Sequence, residues 1–544
     1  MVLKRAVSLL LLLSPPIIGA SAIASTHQAV EPDIASAREN GVLIFNAVHS
    51  AMRQWGSSLN HNGLSLIPAT VPKGTLLYHG TIANKTPDSY EWLAFEIEHA
   101  ENFAGSRPRP PGDGHGPPGG PRRPGPPPPF DNGPHADGRD RIQMFPGQIP
   151  LGATTDDPDE TPNIRGYLHT YHASRDLKLL YIDGMSAGKT NKGTLDTQDL
   201  LLRGLTNDTS FNERARADDI CRIMKSWGLD GVIRMEAGFE ILYCDFRQGL
   251  ELVEMLRRPR ALTFEAGHRM DSFEWLRAAA ERYDGIGGGR VQLDFSRMVS
   301  ALWYPIDVTN SEGGLPRLNG TTPSERKDIL GRVEEAVRSW DGPSLDWQGV
   351  VDMVVARHEG RIAYLAEADV EEQDFVEQVL GLTNTFVDYP PSEFDIVNVE
   401  ILDEVEQRAR ARCTEHYLRP ARESRSTWSK EDEMIDAAIE AVTGRICSDF
   451  FTVKGLLAKG NDDRESTSLA EAVRKGREIV RTLKKDLDWT AWKKCSACKV
   501  NEICFVAIWP FGLIEDHYTP SCMNRTTLAG RAGFRMPGES YWSD

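Results

Sequence analysis

Residues 74–81 read Gly-Thr-Leu-Leu-Tyr-His-Gly-Thr, a turn followed by a strand that ends in His79-Gly80-Thr81. The turn is predicted from Pro72-Lys73-Gly74, because proline fixes its own backbone angle and glycine tolerates conformations that other residues avoid. Residues 64–67 form an earlier short strand, and Pro68 is expected to separate the two strands. Residues 74–81 therefore lie among short β-strands.

The segments around these strands mix helices with further strands. A helix with an apolar stripe is predicted over residues 33–55, and another over residues 212–227, where Gly228 ends it. Ala237-Gly238 is predicted to be a turn between two strands. The further strands are predicted at residues 177–183, 231–235 and 239–246. Because there is no strict βαβ alternation, we predict the α+β class.

Composition changes along the chain indicate how it is divided. Residues 105–140 are rich in proline and glycine and have almost no apolar side chain, so we predict a disordered insertion. The insertion interrupts one mixed α/β domain, residues 25–260, because the segments on its two sides resemble parts of one fold. Residues 261–544 are predicted to form a mainly helical domain with a cysteine-rich tail. The capping sequences Thr322-Pro323-Ser324-Glu325 and Ser468-Leu469-Ala470-Glu471 begin two of its helices.

Charge and hydropathy restrict the class of protein. The chain has 544 residues, of which 40% are hydrophobic and 26% charged, as expected for a chain that folds in water. Its formal charge of -17 repels phosphate backbones, so we expect no nucleic-acid partner. Residues 1–24 join Lys4 and Arg5 to a short apolar run and small residues, the pattern of a signal peptide. We therefore predict a secreted, extracellular protein with no integral membrane span after signal removal.

The eight cysteines fit that location, because exported chains oxidise their thiols to disulfides. Cys221 is predicted to pair with Cys244, since these are the two cysteines of the first half. The other six leave their connectivity open. A zinc knuckle in the tail is the less favoured alternative, because a second Cys-x2-Cys is missing. Four Asn-x-Ser/Thr sequences also predict a glycoprotein, at Asn84, Asn207, Asn319 and Asn524.

The motifs of the first half resemble the ADP-ribosyltransferase fold, in particular its His-type branch. The resemblance covers about residues 62–246 without the insertion. It consists of a strand bearing His79-Gly80, an aromatic strand Trp92-Leu93-Ala94-Phe95 leading into a helix, and a late strand bearing Glu240. The resemblance implies an NAD-dependent ADP-ribosyltransferase or NAD glycohydrolase, with NAD as co-substrate.

The same resemblance implies a role for each site residue. Glu240 would stabilise the oxocarbenium-like cation formed when the nicotinamide–ribose bond breaks. His79 would bind ribose hydroxyls, and the backbone of Gly80 would hold the carboxamide, which needs close approach. Trp92 or Tyr90 would stack on the nicotinamide ring. These side chains are expected to line one hollow.

Two features of the sequence leave alternatives open. Gly238 stands two positions before Glu240, where family members that modify Arg, Asn or Gln carry a second Glu or Gln, so the acceptor is unspecified. A catalytically degenerate binding glycoprotein with an unknown protein partner is therefore the alternative. A less favoured one is a serine hydrolase, because Gly184-Met185-Ser186-Ala187-Gly188 matches a nucleophile elbow. His169 and His172 should face opposite sides of a strand, so we expect no shared metal ion.

Overall fold

A computed structural model of the chain provides the coordinates. Three predictions fall outside the residues that it describes: the predicted signal peptide at residues 1–24, most of the predicted proline-rich insertion, and the sequon at Asn207. The described residues are 29–105, 107–108, 163–205, 212–259, 272–280, 285, 287–339, 344–389, 399–460, 468–529 and 540–542.

The first half of the chain contains five α-helices, one π-helix (Thr197–Leu202) and ten strands among its described residues. The helices are α1 (Ile34–Glu39), α2 (Gly41–Ser50), α3 (Gln54–Leu59), α4 (Ile97–Glu101) and α5 (Glu213–Trp227). The strands are β1 (Asn62–Val71), β2 (Leu76–Thr81), β3 (Glu91–Ala94), β4 (Arg107–Pro108), β5 (Asn163–Ile164), β6 (Tyr167–Ala173), β7 (Leu177–Gly184), β8 (Gly231–Glu236), β9 (Gly238–Tyr243) and β10 (Leu250–Arg257).

The second half is mostly helical, and the mixed α/β class predicted from the sequence is confirmed. Its helices are α6 (Ser272–Ala280), α7 (Pro323–Arg338), α8 (Trp347–Ala366), α9 (Glu372–Thr383), α10 (Val399–Glu415), α11 (Arg419–Arg422), α12 (Lys430–Gly460), α13 (Leu469–Leu487), α14 (Ile514–Tyr518) and α15 (Arg525–Ala529). Its strands are β11 (Gln292–Leu293), β12 (Val299–Ser300), β13 (Glu502–Phe505) and β14 (Ser521–Asn524).

A ten-stranded sheet organises the molecule. Its order is β10-β6-β2-β3-β9-β8-β7-β1-β11, and β12 also pairs with β1. Only β7 and β8 pair in parallel; the other neighbours in this sheet are antiparallel. The strands β11 and β12 come from beyond residue 260, and one cluster of buried apolar side chains runs through both halves. The sheet and its core therefore cross the boundary predicted near residue 260.

The two faces of the sheet differ in chemistry. The face that carries Tyr181, Ile233 and Ile241 is called the apolar face here; α3 covers it, and the hydroxyl of Tyr181 accepts a hydrogen bond from the Met52 N–H at 3.2 Å. Residues alternate between faces along a strand. The opposite face carries Arg234, Glu236 and Glu240 and is called the charged face; α5 packs on it.

Several local predictions are confirmed in the structure. Helix α5 begins after Asn212, whose side chain accepts from the Ala215 N–H, and ends at Gly228 in the left-handed conformation. Thr322 and Glu325 form the predicted capping box of α7, and Ser468 caps α13. Helix 33–55 was predicted as one element, but it is divided into α1, α2 and α3. Breaks fall at Asn40, which caps α1 and α2, and at residues 51–53.

The prediction that Pro68 ends a strand is wrong, because β1 continues through it to Val71. Pro68 pairs with Leu180 of β7 on one side. On the other side, β1 changes partner from β12 to β11 around this position, and the Pro68 carbonyl accepts from the Asp294 N–H at 2.9 Å. A residue without an N–H is tolerated where the strand ladder is interrupted.

The cysteines form four disulfides, and the zinc knuckle considered for the tail is not formed. Cys221 pairs with Cys244 as predicted, which ties α5 to the end of β9. No cysteine is free. The other pairs are Cys413–Cys447, Cys495–Cys504 and Cys498–Cys522. Among the described residues, no helix combines the length and apolar character needed to cross a bilayer.

Candidate functional site

The three strands that carry the predicted site residues lie side by side. Strand β2, with His79 and Gly80, pairs with β3, and β3 pairs with β9, which carries Glu240. The register places Tyr78 opposite Ala94 and Ala94 opposite Glu240. Side chains on one face are therefore close across these three strands.

His79 and Glu240 lie on opposite faces of the sheet. Tyr78 shares the charged face with Glu240, so the next residue, His79, points to the apolar face. There its Nδ1 donates to the Trp92 carbonyl at 2.8 Å, and its ring contacts Phe246. Burial lowers the pKa of His79 to about 4, so the ring is neutral at pH 7. The expectation that His79 and Glu240 line one hollow is not met.

Gly80 does allow a close approach, but the group that approaches belongs to the protein. A Cβ atom at Gly80 would lie 1.9 Å from the carbonyl oxygen of Ala100, in α4. The glycine therefore lets the backbone of α4 rest against the charged face of β2. The nicotinamide carboxamide was expected at this place.

The two aromatic candidates lie together at the end of β3 near α5. The rings of Tyr90 and Trp92 meet edge to face with centroids 6.1 Å apart. The Tyr90 hydroxyl donates to the carbonyl of Arg214 at 3.3 Å, and both aromatic side chains are half-buried. The structure thus places Trp92 on the same face as Glu240, two residue pairs further along β3 and β9.

Glu240 is buried and bound to a guanidinium group. The Nε atom of Arg234 donates to Oε1 of Glu240 at 2.8 Å, and neither side chain exposes more than 4% of its surface. Burial has the largest effect and raises the pKa of Glu240. The Arg234 guanidinium lowers this pKa and the Glu236 carboxylate raises it, so that the pKa is about 7. Glu240 lies in the middle of the sheet, on β9 between β3 and β8.

Arg234 and Glu240 belong to a larger group of buried ions, called the charged cluster here. Lys189 binds Glu236 at 3.0 Å, and Arg234 also binds Glu213. Burial pushes the pKa of Glu213 upward, but Arg234, Lys189 and Arg216 outweigh it and bring the pKa to about 2. Acidic and basic groups are equal in number, as burial requires. The cluster comprises Lys189, Arg203, Arg216, Arg234, Asp199, Glu213, Glu236 and Glu240.

A histidine that the sequence analysis did not single out completes this region. His99 of α4 is 2% exposed and stacks on Trp275 with ring centroids 5.6 Å apart. A Cβ atom at Gly238 would lie 2.9 Å from Nδ1 of His99, so the glycine leaves room for the imidazole. One donor atom each of His99, Glu236 and Glu240 lies within 4.8 Å of the others.

The serine considered as a hydrolase nucleophile has a structural contact instead. Ser186 is 1% exposed, and its hydroxyl donates to the carbonyl of Ile182 at 2.9 Å. No helix begins directly after Gly188, as a nucleophile elbow requires; the next helical turn is a π-helix at Thr197–Leu202. His169 and His172 face opposite sides as predicted: His169 packs against His79, and His172 binds Glu251 at 3.1 Å.

Comparisons with known proteins identify relatives that align with most of this chain. Residues 33–264 match the model of the YPL277C N-terminal domain. The chain is 30% identical to the uncharacterized protein YPL277C of Saccharomyces cerevisiae over 388 residues, which cover 59% of this chain and 73% of the relative. The chain belongs to the YPL277C family.

A second relative is similar over a longer stretch. The uncharacterized protein YOR389W of Saccharomyces cerevisiae is 27% identical over 550 aligned residues, which cover 88% of this chain and 83% of the relative. No solved structure matches the chain. The residues matched by the N-terminal domain model include His99 and every member of the charged cluster. The site therefore lies within the part of the chain that defines the family.

Proposed function

We propose that this chain is an exported binding protein built on an ADP-ribosyltransferase-like fold, and that it does not turn over NAD. One observation carries the proposal. Glu240, the residue that would stabilise the oxocarbenium ion, is bound by Arg234 at 2.8 Å in the interior, while His79 lies on the other face of the sheet. A carboxylate that is already neutralised gives little stabilisation to a developing cation.

The arrangement of strands supports the fold part of this proposal. The strand bearing His79-Gly80, the aromatic strand and the strand bearing Glu240 occur in the order that the resemblance implies and are direct neighbours. The aromatic strand leads into α4, as the resemblance also implies. Gly80, Trp92 and Glu240 share the charged face.

Covalent features support export. All eight cysteines are paired in disulfides, which persist in oxidising compartments and are rare in the cytosol. Residues 1–24 have the pattern of a signal peptide. The side chains of Asn84 and Asn319, in two of the sequons, are exposed, as glycan attachment requires.

An apolar strand at the edge of the sheet supports binding of a protein partner. Strand β10 pairs with β6 on one side, and no other described strand pairs with it. Leu252, Val253 and Leu256 on this strand expose 43%, 54% and 39% of their surfaces. Exposed apolar side chains on an unpaired edge are typical of surfaces that bind another chain.

The experiment is incubation of the purified full chain with NAD carrying a labelled nicotinamide. We expect no nicotinamide release above the buffer rate from the natural chain or from Glu240→Ala. The matched control is Glu254→Ala, which changes a glutamate of the exposed strand β10. Release by the natural chain and by Glu254→Ala, but not by Glu240→Ala, would contradict the proposal.

That contrary outcome would establish the second candidate, NAD cleavage through Glu240. One observation favours it: Trp92 and Gly80 share the face of Glu240, so an aromatic ring and the carboxylate lie on neighbouring strands. Arg234 would then have to release Glu240 when NAD binds. In that case Arg234→Met is expected to change nicotinamide release.

A further inference from the structure

A buried group of one imidazole and two carboxylates lies on the charged face, at the hairpin that joins β8 to β9. We propose that His99, Glu236 and Glu240 bind a zinc ion. Their donor atoms lie within 4.8 Å of one another, and the three residues are 2%, 4% and 3% exposed, respectively. Lys189 beside Glu236 and Arg234 beside Glu240 offset part of the repulsion between the two carboxylates.

One imidazole nitrogen of His99 lies within 4.8 Å of a carboxylate oxygen of each glutamate. Nδ1 of His99 is buried and has no hydrogen-bond partner. It lies over Gly238, the residue between Glu236 and Glu240 on the same face, because a Cβ atom there would be only 2.9 Å away. A buried nitrogen without a partner is costly, and a metal ion would use its lone pair.

The carboxylates are oriented by further side chains, as metal ligands usually are. Lys189 donates to Oε2 of Glu236 at 3.0 Å, and Arg234 donates to Oε1 of Glu240 at 2.8 Å. These contacts use one oxygen of each carboxylate and leave the other for coordination. Hydrogen bonds to ligating carboxylates, and packing such as that of His99 on Trp275, fix ligand geometry.

The donor set selects the kind of ion. Calcium takes six to eight oxygen ligands, and magnesium is bound mainly through oxygen and water, whereas zinc binds both imidazole nitrogen and carboxylate oxygen and keeps water in the fourth position of a three-ligand site. Ligand atoms around a tetrahedral zinc ion are about 3.4 Å apart, so the three donors would move together by roughly 1 Å. All cysteines are in disulfides and offer no competing thiolate. The inference does not depend on whether the chain cleaves NAD.

The test is zinc binding by the full chain under non-reducing conditions. The protein is stripped with EDTA, dialysed against limiting zinc chloride, and its metal content is measured by mass spectrometry. We expect about one zinc ion per chain for the natural sequence. His99→Gln and Glu236→Gln should each weaken binding by more than the roughly 10–100-fold that loss of an orienting partner costs.

A second readout and a matched control separate ligation from folding. Cobalt substituted for zinc should give the visible absorption of a tetrahedral site in the natural chain and not in either variant. His172→Gln is the control, because it also removes a histidine beside a glutamate, at the exposed edge of the sheet, and should bind zinc normally. Circular dichroism in EDTA shows whether each variant folds. The proposal is overturned if the natural chain binds no zinc, or if folded Glu236→Gln binds it as tightly as the natural chain.

Discussion

The charged cluster and a second group of buried side chains reduce the cost of burying ionisable groups in opposite ways. The second group, called the aromatic cluster here, consists of His61, His517, Tyr541 and Trp542. In the charged cluster acidic and basic side chains bind one another, so each buried charge is compensated by an opposite charge. In the aromatic cluster the histidines are neutral, because burial lowers the pKa of His61 to about 4 and that of His517 to about 3.

The two regions therefore respond differently to the loss of a side chain and to a change in pH. Ion pairs in the interior depend on partners, so removing one partner leaves a charge without compensation. Neutral histidines depend on pH, because protonation adds a charge where Lys192 and Arg317 are already positive. A substitution in the charged cluster and a pH titration of the aromatic cluster therefore test the two regions separately.

The largest effect is expected from Arg234→Met. Arg234 binds Glu240 and Glu213 and donates to Gln198 at 3.2 Å, so its loss leaves two buried carboxylates without their main partner. We expect a loss of about 3–5 kcal/mol in the free energy of unfolding. Urea denaturation followed by circular dichroism measures it.

The control for this prediction is Arg247→Met. Arg247 also binds an aspartate, Asp245, at 2.9 Å, but its side chain is 68% exposed. Solvent screens such a pair, so the expected change is small beside that of Arg234→Met. Equal losses in Arg234→Met and Arg247→Met would show that the charged cluster does not stabilise the fold.

The charged cluster also shows what the sequence predicts and what it leaves out. Residues 231–243 alternate apolar side chains with Arg234, Glu236 and Glu240, a signal for one charged face that the sequence analysis did not use. The caps of α5 and the Cys221–Cys244 pair were predictable because they depend on local motifs or on a small number of cysteines. The partners Lys189 and Glu213 come from other segments, and only the tertiary fold brings them together.

The candidate site also depends on features that the sequence motifs do not predict. Adjacent motif strands were expected from the resemblance, yet the face of each side chain depends on register, and a shift of one residue reverses it. His79 therefore faces away from Glu240 although both motifs are present. His99 was missed because a single histidine in a helical stretch carries no signal of its own.

The next largest effect is the acid sensitivity contributed by His61. Its pKa is about 4 in the folded chain and near 6.5 when exposed, so the unfolded chain binds more protons between these values. The stabilisation is fully present above pH 6.5 and is lost as the pH falls toward 4. Between pH 7 and pH 5 the loss should be about 2 kcal/mol for this residue.

The measurement compares the natural chain with His61→Gln by urea denaturation at pH 7 and pH 5. The variant should lose less stability on acidification than the natural chain, although it is less stable at pH 7. An unchanged pH dependence in His61→Gln would contradict the assignment.

The smallest effect is expected from Tyr541→Phe, which tests the hydrogen bond between His61 and Tyr541 within the aromatic cluster. Nδ1 of His61 donates to the side-chain oxygen of Asn62 at 2.6 Å, so its Nε2 accepts from the Tyr541 hydroxyl at 2.8 Å. The variant keeps the ring stacked on His517 but leaves the buried Nε2 without a donor, at a cost of about 1 kcal/mol. Thermal denaturation at pH 7 measures this loss, with Tyr518→Phe as the control because the Tyr518 side chain is 64% exposed. If both variants melt at the natural temperature, the Tyr541 hydroxyl adds nothing to stability, and ring packing together with the hydrogen bonds of the Tyr541 N–H to Gly512 and of the Trp542 indole to Phe511 holds this segment.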